Sequence, residues 1–429
     1  MAQKFQDAQH IHFIGIGGIG ISAIARMFLL QGKKVSGSDA ADSKVVSELR
    51  EAGAKIFLGH DAKHIPKNTD LVIYTIAVTD TNPELQEAKK RKIPLLTYPQ
   101  ALHEISKDAY TIAISGTHGK TTTTAMIAKM MIDAGLDPTV IVGSFLKDHN
   151  SNFIAGKSKY FVVEACEYRK SFLNIQPTIA IMTNIDNDHL DFYKDIVDIQ
   201  NAFGEFIAAV PEDGYVISHT KNKTIAPVLK NTRGQILDSK KFMDKNLKLK
   251  VPGKHHRENA ALVLGLASIL GIDKESAKKS LADFASTWRR FEYKGTTKKG
   301  VLVYDDYGHH PTEVKATLSG AREFFGTKKI IVVFQPHLYS RTKLLLNDFA
   351  KAFVDADEVI VAPIYAAREQ FDPSITSDIL AHKMKHRKAL SLHSFEEIEN
   401  YLSKHLKRGN VVITMGAGDV YKIGDALLK

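Results

Sequence analysis

Ile112-Ala113-Ile114-Ser115-Gly116-Thr117-His118-Gly119-Lys120-Thr121-Thr122 reads as an apolar strand, a glycine loop and the first turn of a helix. A loop of this build cradles phosphate on backbone N–H groups where a helix dipole favours negative charge. Gly119-Lys120-Thr121 fits the end of a P-loop, in which the lysine reaches the β/γ-phosphates and the threonine hydroxyl ligates Mg2+. The match is not strict: Ile114 stands five residues before Gly119, and the first glycine is Gly116. The strand–loop–helix order predicts an ATP site; the alternative is a chance Gly-Lys-Thr in a turn.

Upstream of this loop, short apolar runs alternate with helical segments. Ile11–Ile14, Val35, Ile56–Leu58, Leu71–Thr75 and Pro94–Leu96 read as strands, and Ile19–Gln31 and Ser43–Ala52 as helices. Such alternation predicts a parallel sheet with crossover helices. Downstream, the second unit continues through strands Tyr160–Val163 and Ile179–Thr183, and its last long helix reads as Glu258–Leu270. A third alternating series has strands near Val301–Tyr304, Lys329–Phe334, Glu358–Ala362 and Val411–Met415. Boundaries are expected near the polar stretch 103–109 and the charged stretch 292–299. No repeat of solenoid period is present. The fold class is α/β, in three domains: 1–106, 107–294 and 295–429.

The first series holds a second glycine loop. Gly15-Ile16-Gly17-Gly18-Ile19-Gly20 matches G-x-G-x-x-G between a strand and a helix, and Asp39 ends the next strand, where an acid could accept a ribose hydroxyl. By itself the pattern predicts NAD(P), with another nucleotide diphosphate or a structural turn as alternatives. An ATP loop in the next domain weakens a dehydrogenase reading. An enzyme that joins a nucleotide-linked substrate to something else at the expense of ATP needs both loops.

Phosphoryl transfer calls for a divalent metal. Strand Tyr160–Glu164 ends in a carboxylate, the usual place for a metal ligand in P-loop proteins. His189, in Asn184-Ile185-Asp186-Asn187-Asp188-His189, is a second candidate, against an exposed loop histidine. Cys166 reads as a small, partly buried residue and not as a nucleophile. In the third series, Asp305-Asp306-Tyr307-Gly308-His309-His310-Pro311 and Phe334-Gln335-Pro336-His337, with Arg341 four residues on, end two strands. In a parallel sheet these ends share one crevice, suited to a carboxylate substrate with Arg341 as its clamp.

Composition narrows the class further. The chain has 429 residues, 44% hydrophobic and 25% charged, which excludes disorder over most of it. One cysteine excludes a disulfide framework. The opening residues lack a basic stretch followed by an apolar one, so no secretory signal is expected. The longest uncharged apolar run, Ala260–Ile272, is 13 residues, too short to span a bilayer. A cytoplasmic protein without membrane partners is the expectation. The net charge of +10 is local: residues 221–257 carry eleven Lys and Arg against Asp238 and Asp244. With Phe242 as its single aromatic, this segment predicts a solvated lysine-rich hairpin and no nucleic-acid partner.

Taken together, the two glycine loops, Thr183-Asn184…Asp188-His189, Asp305-Asp-Tyr-Gly-His-His-Pro311, Phe334-Gln-Pro-His337…Ser340-Arg341-Thr342 and Met415-Gly-Ala-Gly-Asp419 resemble the Mur ligases, most closely the alanine-adding branch. The resemblance covers all three domains. It implies an N-terminal Rossmann-like domain for the UDP-sugar, a central P-loop ATPase domain and a C-terminal Rossmann-like domain for the amino acid. It also implies that the first loop holds the diphosphate of UDP-N-acetylmuramate and not NAD. Gly15, Gly17, Gly18, Ile19, Gly20 and Ser22 would then line that site, with Ser38, Asp39 and His60 near the uridine end. ATP would lie on Gly116, Thr117, His118, Gly119, Lys120, Thr121 and Thr122, with Asn259 at the adenine and Arg290 and Asp305 around the phosphates and ribose. Thr121, Glu164 and His189 look like Mg2+ ligands. Lys120, His309 and Arg341 are the implied catalytic residues, and Tyr307, His309, His337 and Arg341 the L-alanine end. The implied chemistry is an acyl phosphate on the lactoyl carboxylate, attacked by the amine of L-alanine. A recycling branch that attaches a whole peptide is the nearest alternative, and an NAD-dependent oxidoreductase one of another class. A monomer or weak homo-oligomer is expected. The chain departs from the family form at Glu164-Ala-Cys-Glu-Tyr-Arg-Lys-Ser-Phe-Leu173, at Leu338 where many members have arginine, and in a short stretch between His189 and Gly253, read as a trimmed sheet edge.

Overall fold

The computed structural model describes residues 2–190, 192–367, 369–384, 386 and 388–429. The first sheet consists of β1 (His10–Ile14), β2 (Lys34–Asp39), β3 (Lys55–Leu58), β4 (Leu71–Tyr74) and β5 (Leu95–Thr97), all parallel in the order β3-β2-β1-β4-β5. The strand order reverses at β1, so the glycine loop that follows it opens into the crevice at the strands' C-terminal edge.

The second sheet holds β6 (Tyr110–Ser115), β7 (Thr139–Leu146), β8 (Ser151–Ile154), β9 (Tyr160–Glu164), β10 (Ile179–Met182), β11 (Tyr215–Ser218) and β12 (Gln235–Asp238). Their order is β12-β11-β10-β6-β9-β7-β8, parallel except for the β7–β8 hairpin. Ile112, Ala113 and Ile114 of β6 are fully buried, as expected for a central strand covered on both faces. The second glycine loop leaves β6 and enters the helix Lys120–Asp133. The third sheet joins β13 (Glu292–Thr296), β14 (Leu302–Asp306), β15 (Ile330–Phe334), β16 (Glu358–Val361), β17 (Ala389–Ser391) and β18 (Val411–Met415) in the order β13-β14-β18-β15-β16-β17. Only β13 is antiparallel.

The chain divides into two compact units, Met1–Leu247 with Glu258–Asp283, and Lys248–Arg257 with Phe284–Lys429. The first two sheets share the first unit because the helix Ile19–Leu30 serves both. It covers the first sheet and packs on β7 and β8, so that Phe13, Phe28, Ile141 and Phe153 belong to one apolar cluster. Asn152 of β8, fully buried, donates to the Ile19 carbonyl and to Ser22 Oγ.

The charged stretch 292–299, near which a boundary was expected, holds β13. Three features differ from the sequence reading. The helix read as 258–270 begins at Lys254, and a further helix, Lys274–Asp283, follows it. The lysine-rich segment is no hairpin: β11 and β12 run parallel, so 219–234 cross over between them. Cys166 is exposed, not partly buried.

Candidate active site

The two glycines of the second loop are required by close approaches. Gly116 has φ 135°, and a Cβ there would lie 2.0 Å from Thr183 Oγ1; Gly119 has φ 82°, and its Cβ would lie 3.1 Å from Asn259 Nδ2. The strand next to β6 in the sheet clamps the loop. Asn184 accepts from the His118 N–H through Oδ1 (2.9 Å) and donates to the His118 carbonyl through Nδ2 (2.9 Å), while its own carbonyl accepts from the Thr117 N–H (3.0 Å). Thr183 Oγ1 donates to the same His118 carbonyl at 2.6 Å. Asp186 faces His118 Nε2 at 3.1 Å. Thr122 is buried in the first turn of the helix.

Around Lys120 and Thr121 the side chains converge. Thr121 Oγ1 donates to Glu164 Oε1 at 3.0 Å, and the other Glu164 oxygen accepts from the Gly143 N–H at 2.7 Å. Lys120 Nζ donates to the Thr117 carbonyl at 3.0 Å and pairs with buried Glu167 at 2.8 Å. Burial works against the charged ammonium, but the Glu167 carboxylate outweighs it and holds the Lys120 value above that of an ordinary lysine. His189 Nε2 lies 3.8 Å from Glu167 Oε1, and its ring is tilted by 36° against that of Tyr168, with centroids 4.7 Å apart. The implied metal set is therefore gathered in part: Thr121 and Glu164 touch, whereas His189 stands beside Glu167. The donor chemistry, a hydroxyl and two carboxylates with one imidazole, suits a hard divalent cation such as Mg2+.

At the first loop, a Cβ at Gly15 (φ 78°) would meet Thr75 at 2.5 Å, and one at Gly20 would meet the Tyr98 hydroxyl at 2.6 Å. Gly18 N-caps the helix that Ile19 begins. Asp39 lies under the loop: Oδ2 accepts from the Gly17 N–H at 2.8 Å and Oδ1 from the Ala41 N–H at 3.2 Å. Both oxygens hold backbone N–H groups and so shape the loop. Ser22 faces the interior. It is fully buried, donates to the Ile19 carbonyl at 2.9 Å and accepts from Asn152, so it does not line the loop's open side. Ser38 and His60 meet at 3.0 Å.

In the second unit, β14, β18 and β15 are parallel neighbours, and their C-terminal ends bring the expected residues together. His309 and His337 have ring centroids 5.7 Å apart, Tyr307 and His309 5.5 Å. Arg341 Nη1 donates to His337 Nδ1 at 3.1 Å. Arg290 lies over the Tyr307 ring at 5.2 Å. Asp305 is elsewhere: it is buried, accepting from Arg289 Nε at 2.7 Å and from Thr414 Oγ1 at 2.6 Å. Burial pushes its carboxyl up to about 6 even against Arg289. In this structure Asp305 ties β14 to Arg289 and to Thr414 of β18.

Sequence reasoning missed Arg289 and Glu84, the latter fully buried with His12 Nε2 and Ser38 Oγ on its carboxylate. Arg289, buried, also donates to the carbonyls of Gly416 (2.6 Å) and Gly418 (2.9 Å), tying the last glycine turn to β14. Glu167 was visible as the second acid of Glu164-Ala-Cys-Glu167; Arg289 and Glu84 carry no local signal.

Three family descriptions match successive parts of the chain: "Mur ligase family, catalytic domain" at 10–110, "Mur ligase middle domain" at 114–242 and "Mur ligase, glutamate ligase domain" at 289–418. The chain belongs to the Mur ligase family. Among the relatives of this Mur ligase, a UDP-N-acetylmuramate–L-alanine ligase of Clostridium tetani is 43% identical over 98% of both chains. One of the same name from Clostridium acetobutylicum is 43% identical over 99% of both. The crystal structure of a Thermotoga maritima UDP-N-acetylmuramate–alanine ligase superimposes with a TM-score of 0.83, 29% identity, and 97% and 98% of the two chains covered. A murein peptide ligase from Psychrobacter arcticus shares the fold at a TM-score of 0.72 and 24% identity over 98% of each chain. No helix among the described residues is long and apolar enough to cross a membrane.

Proposed function

We propose that this Mur ligase joins L-alanine to the lactoyl carboxylate of UDP-N-acetylmuramate with ATP as the energy source, in the cytoplasm. The observation that carries the reading is the pair of anion-binding glycine loops in one unit, the second furnished with Lys120 and the Thr121–Glu164 contact. The full-length identity to relatives bearing that name supports it. Residues 1–106 would hold the UDP-sugar, 107–294 ATP, and 295–429 the amino acid.

In the first step a carboxylate oxygen bonds to the γ-phosphorus, the bond to the β-phosphate oxygen breaks, and ADP leaves. Lys120 leaves Glu167 for the γ-phosphate and neutralises charge that grows in the transition state. Thr121, Glu164 and His189, with Glu167, would hold Mg2+, which when bound supplies charge neutralisation on the phosphates. In the second step the amine attacks the acyl carbon, the C–O bond to phosphate breaks, and phosphate departs from the tetrahedral intermediate with the proton that the nitrogen gives up. Arg341, steadied by His337, holds the alanine carboxylate, and His309 and Tyr307 line the amine's approach. Gly116–Thr122, with Asn259 and Arg290, hold ATP; Gly15–Gly20, Ser38 and His60 hold the UDP-sugar.

The test is phosphate release with ATP, Mg2+, UDP-N-acetylmuramate and L-alanine, each omitted in turn, with the product weighed by mass spectrometry. Release that needs all four components and a product heavier by one alanine residue is expected. Turnover with a free tripeptide and none with alanine would sink the proposal.

A further inference from the structure

Asn152 is a fully buried amide whose hydrogen bonds lead out of its own sheet. It stands on β8 beside Phe153, which pairs with Ile141 of β7. Through Nδ2 it donates to the Ile19 carbonyl and to Ser22 Oγ (2.9 Å), both in the first turn of the helix that follows the first glycine loop. The Ser22 hydroxyl donates to the same Ile19 carbonyl at 2.9 Å. Asn152 Oδ1 is buried and has no partner among the described residues. A buried acceptor without a hydrogen bond lowers stability, so an apolar side chain of this shape would serve the core better than the amide does.

The other arm of the same hairpin reaches the second glycine loop. Between Ile141 and Leu146 the register of β7 against β8 breaks, and within that stretch the Gly143 N–H turns to Glu164 Oε2. A Cβ at Gly143 would stand 2.7 Å from that oxygen, so the strand lies directly against the acid that accepts from Thr121. One hairpin thus touches the start of the first-loop helix with β8 and the Thr121–Glu164 pair with β7. The apolar cluster of Phe13, Phe28, Ile141 and Phe153 holds the two sheets together, but apolar contact has no direction and tolerates sliding. Hydrogen bonds weaken steeply with angle and distance, so Asn152 fixes where the helix start sits along that contact. His103 Nδ1 with the Asn174 carbonyl (3.0 Å) and the Gln176 N–H on Ser106 Oγ (3.3 Å) also join the two halves. Both belong to the helix Tyr98–Ser106 that runs into β6, where the backbone itself makes the connection.

We propose that Asn152 is a positioning residue for the first chemical step. It holds the Ile19 turn against the hairpin that supports Glu164, and so sets the distance between the carboxylate of a sugar anchored on the first loop and the γ-phosphate on the second. This deepens the ligase reading and rests on it. Transfer needs the reacting atoms within about 3–3.5 Å, and a misplacement of about 1 Å costs on the order of a hundredfold. Asn152 faces the interior and belongs to neither loop, so its loss leaves each loop its own affinity and changes only their spacing.

The experiment compares the parent enzyme with Asn152→Leu, close to the amide in shape, and with Asn152→Ala. Single-turnover ADP formation is followed by rapid quench, with UDP-N-acetylmuramate and L-alanine saturating and enzyme in excess over Mg-ATP. Calorimetry gives the dissociation constants of UDP-N-acetylmuramate and of a non-hydrolysable ATP analogue, each alone. In Asn152→Leu the single-turnover rate is expected to fall roughly tenfold to a hundredfold. Both dissociation constants are expected to stay within about twofold of the parent's. The melting temperature is expected to match or exceed the parent's, because Ser22 still donates to the Ile19 carbonyl and the unpartnered Oδ1 is gone. A rate within about threefold of the parent's overturns the proposal. So does weaker binding of UDP-N-acetylmuramate with the saturated rate kept, since the amide would then only shape the first loop. A rate loss in Asn152→Ala that Asn152→Leu does not share traces to packing and overturns it as well. If Asn152→Leu does not fold, Asn152→Ala decides by the same split of rate against binding. A parent enzyme without alanine-dependent turnover would strike the proposed function itself, and this proposal with it.

Discussion

Lys120 lies against Glu167 and not in open space, which sets what its removal does. Lys120→Ala takes away the one side-chain cation of the loop and leaves Glu167 buried without its partner. Phosphate release is expected to fall by roughly 10²–10³-fold or more, the scale of losing one preorganised charge-stabilising group; a steady-state assay at saturating ATP checks it, and a loss under tenfold would remove Lys120 from the transition state. Glu164→Gln keeps the Gly143 contact possible but weakens the donor set around Thr121. The Mg2+ concentration for half-maximal rate is expected to rise roughly tenfold or more, read from a magnesium titration, while the melting temperature stays within a few degrees. Both residues were legible in the sequence because their chemistry sits inside a local strand–loop–helix pattern. Glu84 and Arg289 were not, since their partners His12 and Gly416 are distant in the chain and no spacing announces them.

At the scale of an element, the helix Lys254–Leu270 shows how a polar first turn hides a start. His255, His256 and Arg257 break the apolar periodicity that marks the rest of the helix. His256 is nonetheless buried, with Nδ1 donating to the Pro252 carbonyl at 2.6 Å. Burial pushes its value down from 6.5 to about 4; the Pro252 bond opposes this, and Arg290 and Arg257 add to it. The unfolded chain therefore takes up this proton before the folded one. The stability that the neutral ring contributes is full above about pH 6.5 and is lost as pH falls through about 4, to a total of about 3 kcal/mol. His256→Asn retains an N–H donor and removes the titration. Its urea midpoint is expected to vary less than the parent's between those two pH values, and equal slopes would refute the assignment. Edges, too, escaped the sequence: 221–257 was read as a solvated hairpin on its lysine content, and charge does not record that β12 pairs parallel to β11.

For the molecule as a whole, the basic balance belongs to one crossover and its flanks, 221–257. Lys221, Lys223, Lys240 and Lys241 are exposed, so their charges act through solvent. Replacing all four by Gln is expected to leave kcat unchanged and to lower kcat/KM for the anionic substrates about two- to five-fold at low ionic strength, an effect that vanishes as salt shortens the screening length. Stopped-flow binding across a salt series checks this, and a salt-independent loss would mean direct contact. The sequence by itself determined three α/β sheets, the two phosphate loops, the glycines they need and the family, because each is written within a dozen consecutive residues by periodicity and residue chemistry. Only the tertiary structure decided that the first two sheets share one apolar core through the helix Ile19–Leu30, that Ser22 and Asp305 face inward, and that Glu84 and Arg289 organise their neighbours. Those outcomes depend on which polar groups, far apart in the chain, must pair once burial removes water, and a linear pattern does not record that choice.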